Sequence, residues 1–199
     1  MSPPPIRPET TALILLAAGR SVRFGDTDKL AEPYLGKPLA FHAVTAFEDM
    51  PFSFRVAVTL ETHLDFGGRG YDVIVNDLPK EGQARSVRLG VAEAARRGAA
   101  AVMIALADMP RVTAAQLYRL IDEAEGDDAV VASSDGVKPS PPALFGAAHF
   151  DALKQLSGDR GARDLIARGR HVVTSPAELI DIDTPEDLAA LRALARPHG

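Results

Sequence analysis

Cysteine is absent from this chain of 199 residues, which excludes disulfide bonds, thiolate nucleophiles and thiolate-bound zinc. The sequence also has no long run of basic residues, and its 22 Lys and Arg against 27 Asp and Glu give a net charge of −5. Neutralisation of phosphates by cations supplies most of the affinity of proteins for nucleic acids. We therefore do not expect nucleic acid to be the partner of this protein.

Signals for export and for membrane insertion are missing as well. The first residues, MSPPPIRPETT, lack the charged and then apolar order of a signal peptide. No apolar stretch approaches the ~20 residues that a bilayer span requires. These absences predict a cytoplasmic protein without a membrane partner. The length and the 46% apolar content predict one globular domain, over residues 11–199, after a flexible leader over residues 1–10.

Short apolar runs alternate with amphipathic stretches along the chain. The runs, typical of strands buried on both faces, occupy residues 12–17, 55–60, 71–75, 101–106 and 129–133, and more weakly 171–174 and 179–182. Stretches with apolar residues at helical spacing occupy residues 38–48, 86–97, 113–125, 150–155, 163–168 and 185–194. This alternation predicts an α/β fold with an open, mostly parallel sheet and helices on both faces.

The loop after the first run combines glycines with positive charge. Gly19 and Gly25 favour a close backbone approach to a ligand, and Arg20, Arg23 and Lys29 add cations. Such a loop at the carboxyl end of a strand can surround a polyphosphate, and a nucleoside triphosphate is the natural occupant. The P-loop motif and the G-x-G-x-x-G fingerprint are both missing, which disfavours a P-loop NTPase and a dinucleotide-binding dehydrogenase. An ordinary turn with its cations in solvent is the alternative.

Several short motifs follow one another in a recognisable order. They are LAAGRSVRFG over residues 16–25, followed by Lys29, then ADMP over 107–110 and DIDTPEDL over 181–188. Over nearly the whole chain they resemble the nucleotidyltransferases typified by molybdenum cofactor cytidylyltransferase. The segments GQARSVRLG (82–90) and GDRGAR (158–163) are similar to this family's second nucleotide-contacting segment and its acceptor-side loop.

The resemblance implies a Rossmann-like nucleotidyltransferase fold and a defined reaction. CMP would move from CTP to the phosphate of a molybdopterin-type cofactor, with Mg²⁺ as the metal and pyrophosphate as the leaving group. Such a transfer requires orientation and charge neutralisation but no protein nucleophile. Arg23 and Lys29 would be catalytic residues that hold the β- and γ-phosphates. Asp108 would be the third, and it would bind the metal together with Asp183 or Asp181, because Mg²⁺ prefers carboxylate oxygens.

Some of these carboxylates have other interpretations. Asp108 could instead belong to a turn before Pro110. Asp181 and Asp183 alternate, so both would lie on the same face of an extended strand, and either could be the metal ligand. The 5 histidines show no close ligand spacing, so zinc is not expected.

Binding roles follow from the same resemblance. The residues expected to bind the nucleotide are Leu16, Ala17, Ala18, Gly19, Arg20, Ser21, Gly25, Gln83 and Ser86. Those expected to meet the acceptor are Asp159, Arg160 and Arg163. Ser86 could equally cap the helix that follows, and the acceptor-side residues could form a polar turn. Ala18 stands where guanylyl-transferring relatives commonly have glycine, and its methyl group would narrow the site in favour of a pyrimidine.

Two features depart from the family pattern, and two other functions stay open. Lys29 lies four residues after Gly25 where relatives commonly have three, and residues 138–145 read KPSPPALF where relatives tend to carry Gly-His-Pro. The first alternative function is an NTP transferase for another phosphorylated acceptor, such as a sugar phosphate or an isoprenoid-precursor phosphate. The second is a non-catalytic nucleotide or cofactor carrier, which would have no need for a complete metal and pyrophosphate site.

Overall fold

The structure is a computed structural model that describes residues 5–19, 22–25, 27–60, 62–158 and 162–195. In this part of the chain the strands are β1 (Thr11–Ala17), β2 (Pro33–Tyr34), β3 (Lys37–Pro38), β4 (Phe54–Thr59), β5 (Asp72–Val75), β6 (Ala101–Leu106), β7 (Val130–Ser134), β8 (Pro139–Gly146) and β9 (Arg170–Val173). The helices are α1 (Ala40–Phe47), α2 (Gln83–Arg96), α3 (Ala114–Asp122), α4 (Phe150–Lys154), α5 (Arg163–Arg168) and α6 (Pro185–Leu194).

One large sheet organises these elements, in the strand order β5-β4-β1-β6-β8-β7-β9. β1 pairs in parallel with β4 and β6, β4 with β5, and β7 with β9. Among the described strands of this sheet, β8 alone runs antiparallel to its neighbours, β6 and β7. Strands β2 and β3 form a separate hairpin. The predicted open, mostly parallel α/β architecture is confirmed.

The core lies on both faces of the sheet because successive residues of a strand point to opposite sides. Leu13 and Leu15 of β1 pack in the cluster that contains α1 and α3. Ile14 and Leu16 point the other way, into the cluster of α2, α4 and α5. α2 approaches β1 so closely that a Cβ on Gly90 would lie 2.5 Å from Ile14 Cγ2. Glycine is therefore required at this contact.

Strand β8 is not among the predicted strands. Prolines at positions 139, 141 and 142 remove N–H donors from the ladder, and such a segment does not read as an interior strand. The register with β7 shifts between Ala132 and Ser133. Beyond this shift, Ser133 Oγ donates to the carbonyl oxygen of Pro142 at 3.0 Å. A side-chain hydrogen bond thus holds the strand where the ladder is interrupted.

The strand predicted over residues 179–182 is wrong. The segment follows a 3-10 turn (Pro176–Glu178) and makes no ladder; Ile182 N donates once, to Asp108 O at 3.0 Å. Ile182 packs with Tyr34 of the small hairpin and with Leu188 of α6, and this packing accounts for an apolar residue in the segment. Asp181 and Asp183 therefore do not share a strand face.

Side-chain caps fix the start of two helices, α3 and α6. α5 and α6 have the predicted bounds, and Thr184 caps α6 through Asp187 N, while the Asp187 carboxylate accepts from Thr184 N. The pattern of Thr113 with Gln116 forms only half of a capping box. Thr113 Oγ1 accepts from Gln116 N at 3.2 Å, but the Gln116 side chain donates to Ser133 Oγ instead.

Two further expectations concern the ends of the chain and the membrane. Within the predicted leader, Pro8–Thr10 forms a 3-10 turn that leads into β1, and the division into leader and domain stays a prediction. Across the described ranges, no helix has the length and apolar character that a membrane crossing requires.

Candidate active site

Two clefts open at the carboxyl ends of the parallel strands, where α/β folds place their ligands. The first has a volume of about 290 Å³. Its lining residues come from β1 and the loop after it, from α2 and the loop before it, and from β6 and the loop after it: Leu16, Ala18, Gly19, Pro79, Lys80, Gly82, Gln83, Ser86, Leu106 and Asp108. The structure thus brings together residues from two segments that the sequence assigns to nucleotide binding.

The remaining predicted nucleotide-binding residues do not line the first cleft or lie outside the described residues. Ala17 is buried at the end of β1 and does not line the cleft. Gly25 has a φ of +66°, a left-handed conformation that favours glycine. Arg20 and Ser21 lie outside the described residues.

Gly82 begins the wall formed by α2. Its φ of 73° and ψ of −168° suit glycine, and the helix starts at Gln83, three residues before the predicted start. Ser86 therefore sits inside the first turns, and the interpretation of Ser86 as the helix cap is wrong. Its hydroxyl oxygen instead accepts a hydrogen bond from Asn76 Nδ2 at 3.0 Å.

Lys29 occupies the centre of the site. Asp28 caps a 3-10 turn (Lys29–Ala31) by accepting from Leu30 N at 3.0 Å. This turn directs Lys29 inward, where Nζ donates to Asp108 Oδ2 at 2.8 Å and to the carbonyl oxygen of Ile182 at 2.7 Å. The Lys29 side chain is only 7% exposed. The structure thus places this ammonium group against a carboxylate and a carbonyl, and its contact with phosphates stays a prediction.

Asp108 follows β6 and carries an oxygen without a partner. Within the described part of the chain, Oδ1 is buried and makes no hydrogen bond, which is costly for a carboxylate oxygen unless a ligand completes it. Burial raises the pKa of Asp108; the Lys29 ammonium opposes this effect, and the charges of Asp181 and Asp183 reinforce it. A ligand that brings positive charge to Oδ1 would relieve both costs.

Arg23 extends the charged cluster toward solvent. Its Nη1 lies 3.4 Å from Asp183 Oδ2, and Asp183 Oδ1 lies 3.6 Å from Lys29 Nζ. The Arg23 side chain is 67% exposed, so this ion pair adds little to stability. Arg23, Asp183, Lys29 and Asp108 form a line of alternating charges in which Arg23 is accessible to an anionic ligand.

The second cleft is larger, with a volume of about 620 Å³. It shares Leu16, Gln83, Leu106 and Asp108 with the first cleft, so the two clefts meet at Asp108. Its other lining residues are mostly apolar or come from the β7–β8 hairpin, α5 and the segment before α6: Val87, Ile104, Met109, Asp135, Lys138, Pro139, Ser140, Pro141, Ala143, Phe145, Ala162, Arg163, Ile166, Ala167, Pro176, Leu179, Asp181 and Asp183.

Of the predicted acceptor-binding residues, Arg163 lines this second cleft. Asp159 and Arg160 lie outside the described residues. Asp181 and Asp183 both reach the cleft, but among the described contacts only Asp183 is recorded in ion pairs with Arg23 and Lys29.

Sequence reasoning missed several polar residues in or beside the two clefts, including Asp135 and Ser140 of the second cleft. Lys80 lines the first cleft, Lys138 lines the second, and buried Asn76 supports Ser86. Asn76 directly follows the run at 71–75, and Lys138 lies a few residues after the run at 129–133. Residues that follow buried strands are candidate ligand contacts in α/β folds, and this argument, applied to these two runs, points to Asn76 and Lys138.

Known proteins are similar to this chain in sequence and in fold. Residues 13–173 match the family model described as the MobA-like NTP transferase domain. The purine catabolism protein PucB of Bacillus subtilis (strain 168) is 32% identical over 197 residues, which cover 90% of this chain and 94% of PucB.

Solved structures share the fold along almost the whole chain. Rv0371c from Mycobacterium tuberculosis H37Rv is 27% identical with a TM-score of 0.74, over 92% of this chain and 97% of that protein. A structure of Rv0371c in complex with manganese is also similar, at 25% identity and a TM-score of 0.73, over 92% and 98% of the two chains. Molybdopterin-guanine dinucleotide biosynthesis protein A from Archaeoglobus fulgidus is 21% identical with a TM-score of 0.67, over 92% and 97%.

Proposed function

Because the chain belongs to the MobA-like NTP transferase family, we propose that it moves CMP from CTP to the phosphate of a molybdopterin-type cofactor and releases pyrophosphate. Nucleotidyl transfer is the reaction class of the family. The observation that carries the proposal is the meeting of two clefts at Asp108, beside Lys29 and Asp183. One cleft accepts the nucleotide, the other accepts the phosphorylated acceptor, and the charged cluster lies at their junction.

The first cleft suits a pyrimidine nucleotide. Its walls are the backbone at Ala18 and Gly19 on one side and Gln83 and Ser86 of α2 on the other. The methyl group of Ala18 takes up room that a glycine would leave to a larger purine. This supports CTP as the donor over GTP.

The residues at the junction meet the needs of an in-line transfer. An oxygen of the acceptor phosphate attacks the α-phosphorus of CTP, a new P–O bond forms, and the bond to the bridging oxygen of pyrophosphate breaks. Negative charge accumulates on the departing pyrophosphate, and the accessible Arg23 guanidinium neutralises it. Lys29 holds Asp108 in place by a hydrogen bond and adds a second positive charge at the junction.

A divalent cation fits the chemistry of Asp108. Its buried Oδ1 has no partner among the described residues, and Mg²⁺ takes carboxylate oxygens while it keeps several waters. Within the same described ranges no group of three or more metal-binding side chains converges, so the ion would rely on Asp108, with Asp183 as the second ligand. When bound, it would neutralise charge on the phosphate oxygens. The manganese complex of Rv0371c supports a divalent ion in this fold.

The second cleft suits an acceptor with a sizeable ring system. Ile104, Phe145 and Ile166 give it an apolar floor and wall, and Lys138 and Arg163 add cations. A compact sugar phosphate would leave much of this apolar surface uncovered. A pterin phosphate would cover the apolar surface with its rings and meet the cations with its phosphate.

Pyrophosphate release tests this function. The protein would be assayed with each of the four nucleoside triphosphates and Mg²⁺, and with molybdopterin, a sugar 1-phosphate or an isoprenoid-precursor phosphate as acceptor. We expect release with CTP and molybdopterin. A preference for GTP would overturn the cytidylyl assignment, and turnover with another acceptor would overturn the molybdopterin assignment. Binding of CTP without release under any combination would favour a carrier.

A further inference from the structure

Asn76 ties together three elements next to the first cleft. It directly follows β5, is only 3% exposed, and donates its backbone N–H to the carbonyl oxygen of Thr59 at 2.7 Å. Its side-chain Oδ1 accepts from Leu78 N at 3.1 Å, and its Nδ2 donates to Ser86 Oγ at 3.0 Å. The side chain therefore connects the edge of the sheet, the loop before α2 and α2 itself.

The orientation of this amide follows from its partners. A backbone N–H donates, and the acceptor of an asparagine amide is its oxygen, so the atom facing Leu78 N is Oδ1 and the atom facing Ser86 is the nitrogen. Ser86 Oγ must then accept from Asn76, and the single hydroxyl hydrogen of Ser86 points elsewhere. Among the residues that the structure describes, none accepts this hydrogen, and Ser86 lines the nucleotide cleft.

We propose that Asn76 is a positioning residue that fixes the Ser86 hydroxyl as a hydrogen-bond donor toward the base. This inference rests on the proposed function, since it concerns the base of the bound nucleotide. Cytosine offers an acceptor at N3, which can receive the Ser86 hydrogen. Uracil carries an N–H at position 3, and a fixed donor would meet another donor there. Asn76 thereby contributes to base selection without contact with the nucleotide.

The test exchanges the amide for an acid of the same shape. In Asn76→Asp the second carboxylate oxygen would accept from Ser86, and the hydroxyl would turn away from the cleft. Binding of CTP and of ribose 5′-triphosphate, which has no base, would be measured by calorimetry on the full chain with Mg²⁺. The ratio of the two Kd values isolates the base, because repulsion between a new carboxylate and the phosphates acts on both ligands.

We expect Asn76→Asp and Ser86→Ala each to reduce the preference for CTP over ribose 5′-triphosphate by about 3- to 10-fold, the scale of one hydrogen bond. The double variant should show no further loss beyond Ser86→Ala, because Asn76 acts through that hydroxyl. If Asn76→Asp does not fold, as judged by thermal melting, Asn76→Ala takes its place in the same cycle.

Gln116→Glu provides the matched control. Gln116 is a buried amide that donates to a buried serine hydroxyl, Ser133 Oγ, at 2.9 Å, and neither residue lines the first cleft. The same amide-to-acid change there should leave the ratio unaltered. An unaltered ratio in Asn76→Asp, or a further loss in the Ser86→Ala background, would overturn the positioning role. CTP turnover by the wild type would still support the proposed function in that case. A wild type that binds no CTP would overturn both.

Discussion

The two ends of the large sheet carry charged clusters that differ in how well their charges are matched. At the amino ends of the strands, Arg97 bonds to Glu93 Oε1 at 2.6 Å and to Asp72 Oδ2 at 2.7 Å, and its guanidinium lies 4.5 Å from the centre of the Phe54 ring. At the carboxyl ends, Asp108 shares Lys29 with Ile182 and Asp183, and its Oδ1 has no partner among the described residues.

The pKa shifts of the two clusters have opposite directions. Hydrogen bonds from Arg96 and Arg97 lower the pKa of Glu93 to about 2, so the native state favours its charged form. Burial raises the pKa of Asp108, so the native state disfavours its charge. A saturated cluster stabilises the fold, whereas an unsaturated one is ready for a ligand. The degree of saturation distinguishes the amino ends of the strands from the carboxyl ends, where the proposed site lies.

Removal of the charge at Asp108 should cause the largest loss of activity. Asp108→Asn keeps the shape but removes the proposed metal ligand, and we expect kcat to fall by about 10³-fold or more. Pyrophosphate release measures this loss, and thermal melting should show a folded protein.

Glu93→Gln is the matched change at the opposite end of the sheet and should leave turnover unaltered. Asp183→Asn and Asp181→Asn extend the test, and we expect the larger loss for Asp183, which faces Lys29 and Arg23. Full activity in Asp108→Asn would contradict the assignment of the carboxyl end as the functional end.

The two cations at the carboxyl ends of the strands should differ in how much they contribute to the stability of the protein. Arg23→Ala should lower kcat by about 10²–10³-fold with little change in Tm, because its side chain is exposed. Lys29→Met should lower kcat and also cost about 3 kcal/mol of stability, since it leaves the buried Asp108 without its partner. Kinetics and chemical denaturation of both variants measure the difference. Equal stability losses would show that the line of charges acts as one structural unit.

Base preference should change by a smaller amount. Ala18→Gly removes a methyl group from the first cleft, and pocket-shape discrimination of this kind is worth about 1–3 kcal/mol. We expect the ratio of kcat/KM for CTP over GTP to decrease by about 10-fold without reversal. A wild type that already prefers GTP would refute the argument from Ala18.

The smallest effect should come from the saturated cluster. Glu93→Gln should cost less than about 1 kcal/mol at neutral pH, as expected for ion pairs near the surface. Because the native pKa of Glu93 is about 2 and its ordinary value is 4.5, this contribution is present above pH 4.5 and is lost as the pH falls toward 2. Denaturation of wild type and variant at pH 7 and at pH 3 should show the difference shrinking. A difference that grows in acid would contradict the assigned pKa direction.

Elements with an unambiguous local pattern could be predicted from the sequence. β6 is an unbroken apolar run, and α6 carries its cap, a first-turn proline and an acidic first turn, so their bounds agree with prediction. β8 could not be found in this way, because its prolines give a local pattern against a strand and its support, Ser133 Oγ, depends on tertiary structure. The strand predicted over residues 179–182 is wrong for the opposite reason. The apolar residues there pack in the cluster that contains α6 and do not join a sheet.

The candidate site, too, could be predicted from the sequence only in part. Asp108 and the glycine-containing loop after β1 could be identified because they lie close to the ends of apolar runs and belong to recognisable motifs. The bond from Lys29 to the carbonyl oxygen of Ile182 joins residues 153 positions apart, and no local pattern contains it. Ser86 was identified, but its support by Asn76 depends on how β5 and α2 meet in the fold.

The order of the two clefts along the chain has an evolutionary consequence. The first cleft is built from residues before Pro110, and most of the second from residues after Val130. A recombination crossover in the turn after α3 would therefore join the first cleft of one protein to most of the second cleft of another. Across this boundary, Lys29 bonds to the backbone carbonyl of Ile182, which any residue at that position supplies. The ion pairs of Arg23 and Lys29 with Asp183 require a carboxylate there as well. Under the proposed function, chimeras of this kind would exchange the cleft proposed for the acceptor, together with Asp183, while the lining of the first cleft is inherited whole.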